Sequence, residues 1–330
     1  MSEKTKTGMN WKFLTQAEQL SLFIAFAIMC IALALLTPTF LSSTNLSNLL
    51  KQTSIVGIAA LGACLIILIG EIDLTVGNFQ AAAGCFMVFI LNYVVKSFIL
   101  ALILTLLLGV LVGFVNAIVV TKGKINSFIA TLGTMAIIKG ATFVLTKAAS
   151  IQNTYPGFDF WGTGNIIGIP IPVIFFIVLC AIVHYVLNYT VLGRNIYAVG
   201  GNASAARLSG LNVVKIKIIV FMIGSIFAAL TAVITASRLN SGQPTAGTGF
   251  ELLVISAVIL GGVSMTGGRG NILGVVMGVL ILSVLSNGLV LLNVSSFYQE
   301  IARGLVIIIA VFLDENRKRN LSRKLLQVNC

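Results

Sequence analysis

The chain has 330 residues, 58% hydrophobic and only 9% charged, with a mean hydropathy of +1.06. Soluble domains carry about 25% charged residues, so this composition excludes a soluble globular protein and points to an all-α polytopic membrane protein. The weak ten-residue alternation of an outer-membrane barrel is absent. A net charge of +12 does not indicate nucleic acid, because the basic residues fall between apolar runs, where the positive-inside rule places them.

In chain order, residues 1–19 are polar and basic and precede an apolar run at about 20–37. No small-residue cleavage site follows, and Met29 stands before Cys30 where a lipoprotein signal needs a small residue. The run reads as an uncleaved first span, with Trp11 and Phe13 in an interfacial lead-in. Further runs fall near 54–70, 79–95, 98–120, 126–146, 171–189, 216–237, 251–264, 272–292 and 299–313. That makes about ten transmembrane helices, or eight if the short runs 251–264 and 299–313 are both re-entrant. Residues 20–313 then form one transmembrane domain, followed by a basic tail at 314–330.

Orientation follows from Lys and Arg. With the N-terminus inside, Lys4, Lys6, Lys12, Lys122, Lys124, Arg194, Arg207, Lys215, Lys217, Arg269 and the five basic residues of 317–324 fall inside. Only Lys51, Lys96, Lys147 and Arg238 fall outside, a ratio of fifteen to four that puts both termini in the cytoplasm. The long outer loop, about 147–170, carries Tyr155, Phe158, Phe160 and Trp161, read either as interface aromatics or as a docking surface.

Four stretches carry the functional signal. GEIDLTVGN (70–78) sets Glu71, Asp73 and Asn78 between two apolar runs. Acids there either line or gate a path, or Asp73 caps the next helix. The polar interval 190–215 contains Asn202 as a helix cap, Ala203 to Ser209 as a short helix, Gly210 as its stop, and Gly200 and Gly201 as a swivel ahead of it. A helix of two turns is marginal alone, so it reads as a knob presented to another protein. RLNSGQPTAGTGFEL (238–252), with Gln243, Pro244, Gly247 and Gly249, interrupts helices near the outer face, as a gate, a docking site or a plain loop. GGVSMTGGRGN (261–271) resembles a phosphate loop but lacks the Gly-Lys-Ser/Thr of one, and reads as a tight inside turn. It also echoes 67–78, in the sense of a parallel internal repeat. The only histidine, His184, reads as a packing residue. Cys30, Cys64, Cys85, Cys180 and Cys330 show no metal or disulfide spacing, and no catalytic or metal constellation is present.

GEIDLTVG, residues 193–218, QPTAGTGFEL, GGVSMTGGRGNILG and NGLVLLNVSSFYQ (287–299) together resemble the ribose-permease family, the membrane subunit of bacterial ABC importers for monosaccharides. The likeness runs from about 20 to 315. It implies a multi-pass protein of the bacterial cytoplasmic membrane that works as a homodimer within membrane lipid. The implied partners are a cytoplasmic ATPase, which would hold the ATP and Mg, and an external sugar-binding protein. The chain itself would hold no cofactor or metal and would not be an enzyme. Residues 200–210 match the family's coupling helix, with Ala203, Ala205 and Ala206 allowing close approach to the ATPase, Arg207 and Leu208 as anchors, and Ser209 closing the segment. The rival reading is an ion-coupled secondary transporter of a small neutral solute, whose coupling site would have to be built from Glu71, Asp73 and His184.

Overall fold

The computed structural model describes residues 11–295, and beyond them 297–302, 304–305, 308 and 312. The first ten residues, about half of the 299–313 run and the 314–330 tail lie outside the described residues. Among the described residues up to Leu291, twelve helices follow in order: α1 (Trp11–Leu36), α2 (Ser43–Leu68), α3 (Val76–Ile90, extended by a π turn over Leu91–Val95), α4 (Phe98–Thr121) and α5 (Ser127–Thr146). After them come α6 (Phe160–Thr163), α7 (Ile171–Tyr189), α8 (Val191–Gly201), α9 (Ala203–Leu208), α10 (Val213–Leu239), α11 (Phe250–Leu260) and α12 (Ile272–Leu291). Seven helices among the described residues are long and apolar enough to cross a membrane, so the chain is a multi-pass membrane protein.

α2 is the axis. The Ser42 hydroxyl accepts a hydrogen bond from the Asn45 amide at its start, and every residue from Thr53 to Leu68 is buried. A helix apolar all round belongs at the centre of a bundle, and α7, α10, α11 and α12 surround this one. α10 bridges α2 to α3 and α4. Its seam with α4 depends on Gly109 and Gly113, four apart: a Cβ at Gly109 would lie 2.9 Å from Ser225 O, and one at Gly113 2.7 Å from Met222 Cα. Small residues at this spacing let helices approach where lipid gives no hydrophobic drive. By contrast α4 and α5 keep most of their apolar surface exposed.

Two crossings of the bundle are broken. The run at 251–264 is helical only over the 11 residues of α11. After Leu239 the chain passes through the two strand residues Ser241–Gly242 beside α3, where a Cβ on Gly242 would meet Cys85 Cα at 2.6 Å, and then through turns over 244–249. It turns helical at Phe250, against the first turn of α3, and arrives beside α12 at Gly261. Residues 69–75 are likewise non-helical, in turn and irregular backbone before α3 begins. The glycine-rich interruption thus lies inside the bundle, packed along α3 from Cys85 to Gly77. Pro244 and the glycines that follow it deny the chain a helix until Gly249, at φ +74, admits one.

At the end away from α8 and α9, β1 (Ile151–Gln152) pairs antiparallel with β4 (Ser241–Gly242), and β2 (Asn165–Ile166) with β3 (Ile169–Pro170). The aromatics there are mostly anchors, not a surface. Phe158 is 0% exposed and its carbonyl accepts from Ser237 Oγ at 2.5 Å, while Trp161 stacks on Phe98 at 4.6 Å. Phe160 stays about half exposed. His184 is exposed on α7, facing Asn188 at 3.3 Å, and is therefore not a core residue. Cys64 and Cys85 are buried, Cys30 and Cys180 partly so, and all four are free.

Candidate functional site

The short helix between the apolar runs forms as its residues dictate. Asn202 Oδ1 accepts from the Ala205 amide at 2.9 Å, satisfying one orphan N–H of α9. Gly210, at φ +85, ends it: its amide donates to Arg207 O and that of Leu211 to Ala206 O, each at 3.0 Å. That pair of bonds is the Schellman closure, which needs a residue tolerant of positive φ. Ala206 points into the bundle, whereas Leu208 is 91% exposed. Ala205, Arg207 and Ser209 share its exposed side, and Ala203 is half-buried.

The two glycines ahead of α9 are not a swivel. Both lie in α8, and Gly200 is wedged against two other backbones: a Cβ there would overlap Leu68 O and sit 2.5 Å from Gly268 N. Gly268 N also donates to Leu68 O at 2.9 Å. Gly267 presses on Gly70, with a virtual Cβ 2.6 Å from its amide. The end of α2, the end of α8 and the α11–α12 turn therefore touch backbone to backbone, and the two echoing glycine turns meet here. Tyr197 on α8 adds a tether, donating to Gly270 O at 2.9 Å. Burial pushes its phenol up to about 12, which keeps it a donor.

Residues 69–75 leave this junction with no helix of their own, and neighbouring side chains supply the missing hydrogen bonds. Ile72 N donates to Ser127 Oγ and Leu74 N to Thr131 Oγ1, each at 3.1 Å, both acceptors lying on α5. Unwound backbone inside a membrane protein survives only with such partners. Asp73 Oδ1 accepts from Thr75 N at 2.8 Å and from Thr75 Oγ1 at 2.6 Å, so one carboxylate oxygen shapes the turn into α3. Glu71 accepts a hydrogen-bonded ion pair from Lys217 Nζ on α10. Asn78 Nδ2 reaches Met135 O on α5 at 3.4 Å.

Above this segment the two broken crossings meet. A Cβ on Gly247 would overlap Gly77 O, and one on Gly77 would overlap the Glu251 carboxylate. Gln243 lines a small cleft with Gln80, Thr235 and Ser241, in which Gln80 Nε2 donates to Thr235 Oγ1 at 2.7 Å. Among the described residues, Asp73 Oδ2, Gln80 Oε1, Asn116 Oδ1 and Glu251 Oε2 are buried acceptors without a partner. All four lie on or against the segment from Asp73 to Gln80: Asn116 through its bond to Thr75, and Glu251 through Gly77. They offer acceptor oxygens to donors such as water or hydroxyl groups.

The structure thus brings Gly200, Gly201 and Glu71 to one junction, and Asn78, Gly247 and Gly249 to one crossing. Gln243 lies further along α3, and Pro244 between the two. The sequence reading missed the Lys217 partner of Glu71 and the Glu251–Gly77 contact. For the first a signal existed, since one acid and one base stand at the same ends of two apolar runs.

Residues 45–311 match the family described as branched-chain amino acid transport system / permease component. The chain belongs to that family. Within the permeases, it is 42% identical over 321 residues to the ribose import permease protein of Escherichia coli K12, covering 95% of this chain and 99% of the relative. The ribose import permease protein of Bacillus subtilis 168 is 42% identical over 302 residues, covering 91% and 94%. The L-arabinose transport system permease protein of Escherichia coli K12 is 38% identical over 302, covering 92% of each. No solved structure matches the chain.

Proposed function

We infer that this chain is the membrane-spanning permease subunit of an ATP-binding-cassette importer in the bacterial cytoplasmic membrane, and that its cargo is a monosaccharide, ribose before arabinose. The observation that carries this is the 42% identity across 95% of the chain to a ribose import permease. The chain is a transport subunit and not an enzyme. A cytoplasmic ATPase holds the ATP and Mg, an external binding protein delivers the sugar, a second copy completes the path, and lipid surrounds the pair. α9 faces the cytoplasm as the coupling helix, with Leu208 as its anchor. Ten crossings are counted by including the interrupted one from Leu239 to Gly261 and the 299–313 run, which leaves both termini inside.

In this reading ATP binding closes the ATPase pair and shifts α9. The junction at Gly200 passes the shift to α2 and to the α11–α12 turn, and the crossing at Gly77 and Gly247 opens toward one side at a time. Asp73, Asn78, Gln243, Pro244, Gly247 and Gly249 border that route, and Glu71 stands at the junction that drives it. The acceptors around α3 suit a neutral solute rich in hydroxyl donors.

The decisive test is ATPase activity in vesicles holding this chain, its ATPase and a loaded binding protein. Ribose should stimulate hydrolysis, and Leu208→Asp should remove the stimulation while leaving the protein inserted. Flat hydrolysis with every sugar, together with uptake by the chain alone that an uncoupler abolishes, would replace this reading with the secondary-transporter one. Sidedness has its own check. A cysteine placed at Ile167, which is 97% exposed, should react with an impermeant maleimide from outside only, and one at Leu208 from the cytoplasm only.

A further inference from the structure

We propose that the Glu71–Lys217 ion pair is the second strut of the transmission, coupling α9 to the start of α3 independently of the glycine junction. The proposal rests on the importer reading above and assigns Glu71 a positioning role in place of contact with the sugar.

The geometry sets α9 between two attachments to a single segment. On its N-terminal side, Gly200 bears on Leu68 O and Gly268, at the very start of 69–75. On its C-terminal side, the chain passes through the Schellman closure at Gly210 and Leu211 directly into α10. The Asn212 side chain caps α10 by accepting from Lys215 N at 3.0 Å, and Lys217 stands two residues further on. Its ammonium reaches Glu71, one residue beyond Gly70. Neither closure leaves a flexible hinge between α9 and the lysine.

The pair is also set where it transmits force. The two side chains are only 20% and 11% exposed, so solvent screening is weak compared with a surface pair. Glu71 is followed at once by Ile72 and Leu74, whose amides are held by Ser127 and Thr131 of α5. A pull on Glu71 therefore moves a segment already fixed to α5, and with it the first turn of α3 at Gly77. An acid that lined the path would have been left facing water or solute, and this one is turned to a lysine.

Two readouts test the strut in the vesicle system: sugar moved per ATP hydrolysed, and hydrogen exchange of the 70–76 amides in the purified permease. Glu71→Gln and Lys217→Met should each lower the transport-to-hydrolysis ratio roughly fivefold or more, the range of ordinary coupling energies, and should speed exchange at 70–76. The exchanged pair, Glu71→Lys with Lys217→Glu, should restore most of both. Wild-type ratios and exchange in the single variants would overturn the strut while leaving the importer reading intact. Loss in the single variants without recovery in the exchanged pair would overturn it too, because the lost interaction would not be the charge pair. If the wild-type complex shows no sugar-stimulated hydrolysis, the importer reading fails, and the exchange measurement alone then decides whether the pair holds 69–75.

Discussion

Gly200→Ala should abolish sugar-stimulated ATP hydrolysis, whereas Gly201→Ala, one residue on, should leave it intact. The methyl group at 200 would overlap Leu68 O and lie 2.5 Å from Gly268 N, and both contacts are backbone, with no side chain to swing away. Three backbones would have to part, and the Gly268 N to Leu68 O bond of 2.9 Å would stretch or break. Overpacking of this kind costs about 1–3 kcal/mol, with the lost hydrogen bond adding ~1 kcal/mol. At Gly201 no atom lies within 4 Å of the added methyl, and alanine favours a helix by up to ~1 kcal/mol. The readouts are the thermal midpoint of the purified permease and the fold stimulation by ribose in vesicles. Equal behaviour of the two variants would show that the junction does not transmit anything.

These two glycines also mark how far the sequence could be read. Their composition signals backbone freedom, and a swivel is the natural inference. What removes the freedom is Leu68 and Gly268, more than 130 and more than 60 residues away in the chain. No local pattern announces that. The cap at Asn202 and the stop at Gly210 were legible because a helix end is decided by its own few residues. The apolar runs were legible for the same kind of reason: hydropathy integrates over about twenty neighbours. α11 was harder, because the apolar run at 251–264 gives no sign that its helix stops at Leu260. Phe158 and Trp161 look like interface aromatics by type, and become anchors only because Ser237 and Phe98 are brought beneath them. Asp73 was read as either path or cap. It is not the helix cap, since Thr75 holds that position without a side-chain cap bond; Asp73 Oδ1 is committed to the turn at Thr75, and its Oδ2 is left without a partner among the described residues. The family likeness implied a coupling role for 200–210, but α9's inward Ala206 and outward Leu208 came only from the fold.

Gly247→Ala should be the most damaging single change at the crossing, and its neighbour supplies the contrast. A Cβ at 247 would overlap Gly77 O and approach Asn78 N to 3.2 Å. The first turn of α3 would have to retreat, and Gly77 cannot retreat toward Glu251, whose amide a Cβ at 77 would already meet at 3.1 Å. An overpacking cost of ~1–3 kcal/mol, falling on the one place where two broken crossings abut, should slow sugar uptake about tenfold or more. Asparagine at 247 should be no better than alanine, because the obstacle is volume. At Gly249 the obstacle is conformation: φ is +74, yet nothing lies within 4 Å of an added Cβ. Gly249→Ala should therefore cost about 1–2 kcal/mol of left-handed strain, and Gly249→Asn should recover much of it, since asparagine tolerates that region. Uptake and thermal midpoint measured on the four variants separate the two causes. Asparagine rescuing both sites would mean that Gly247 is a turn residue and that the helices do not close on one another there.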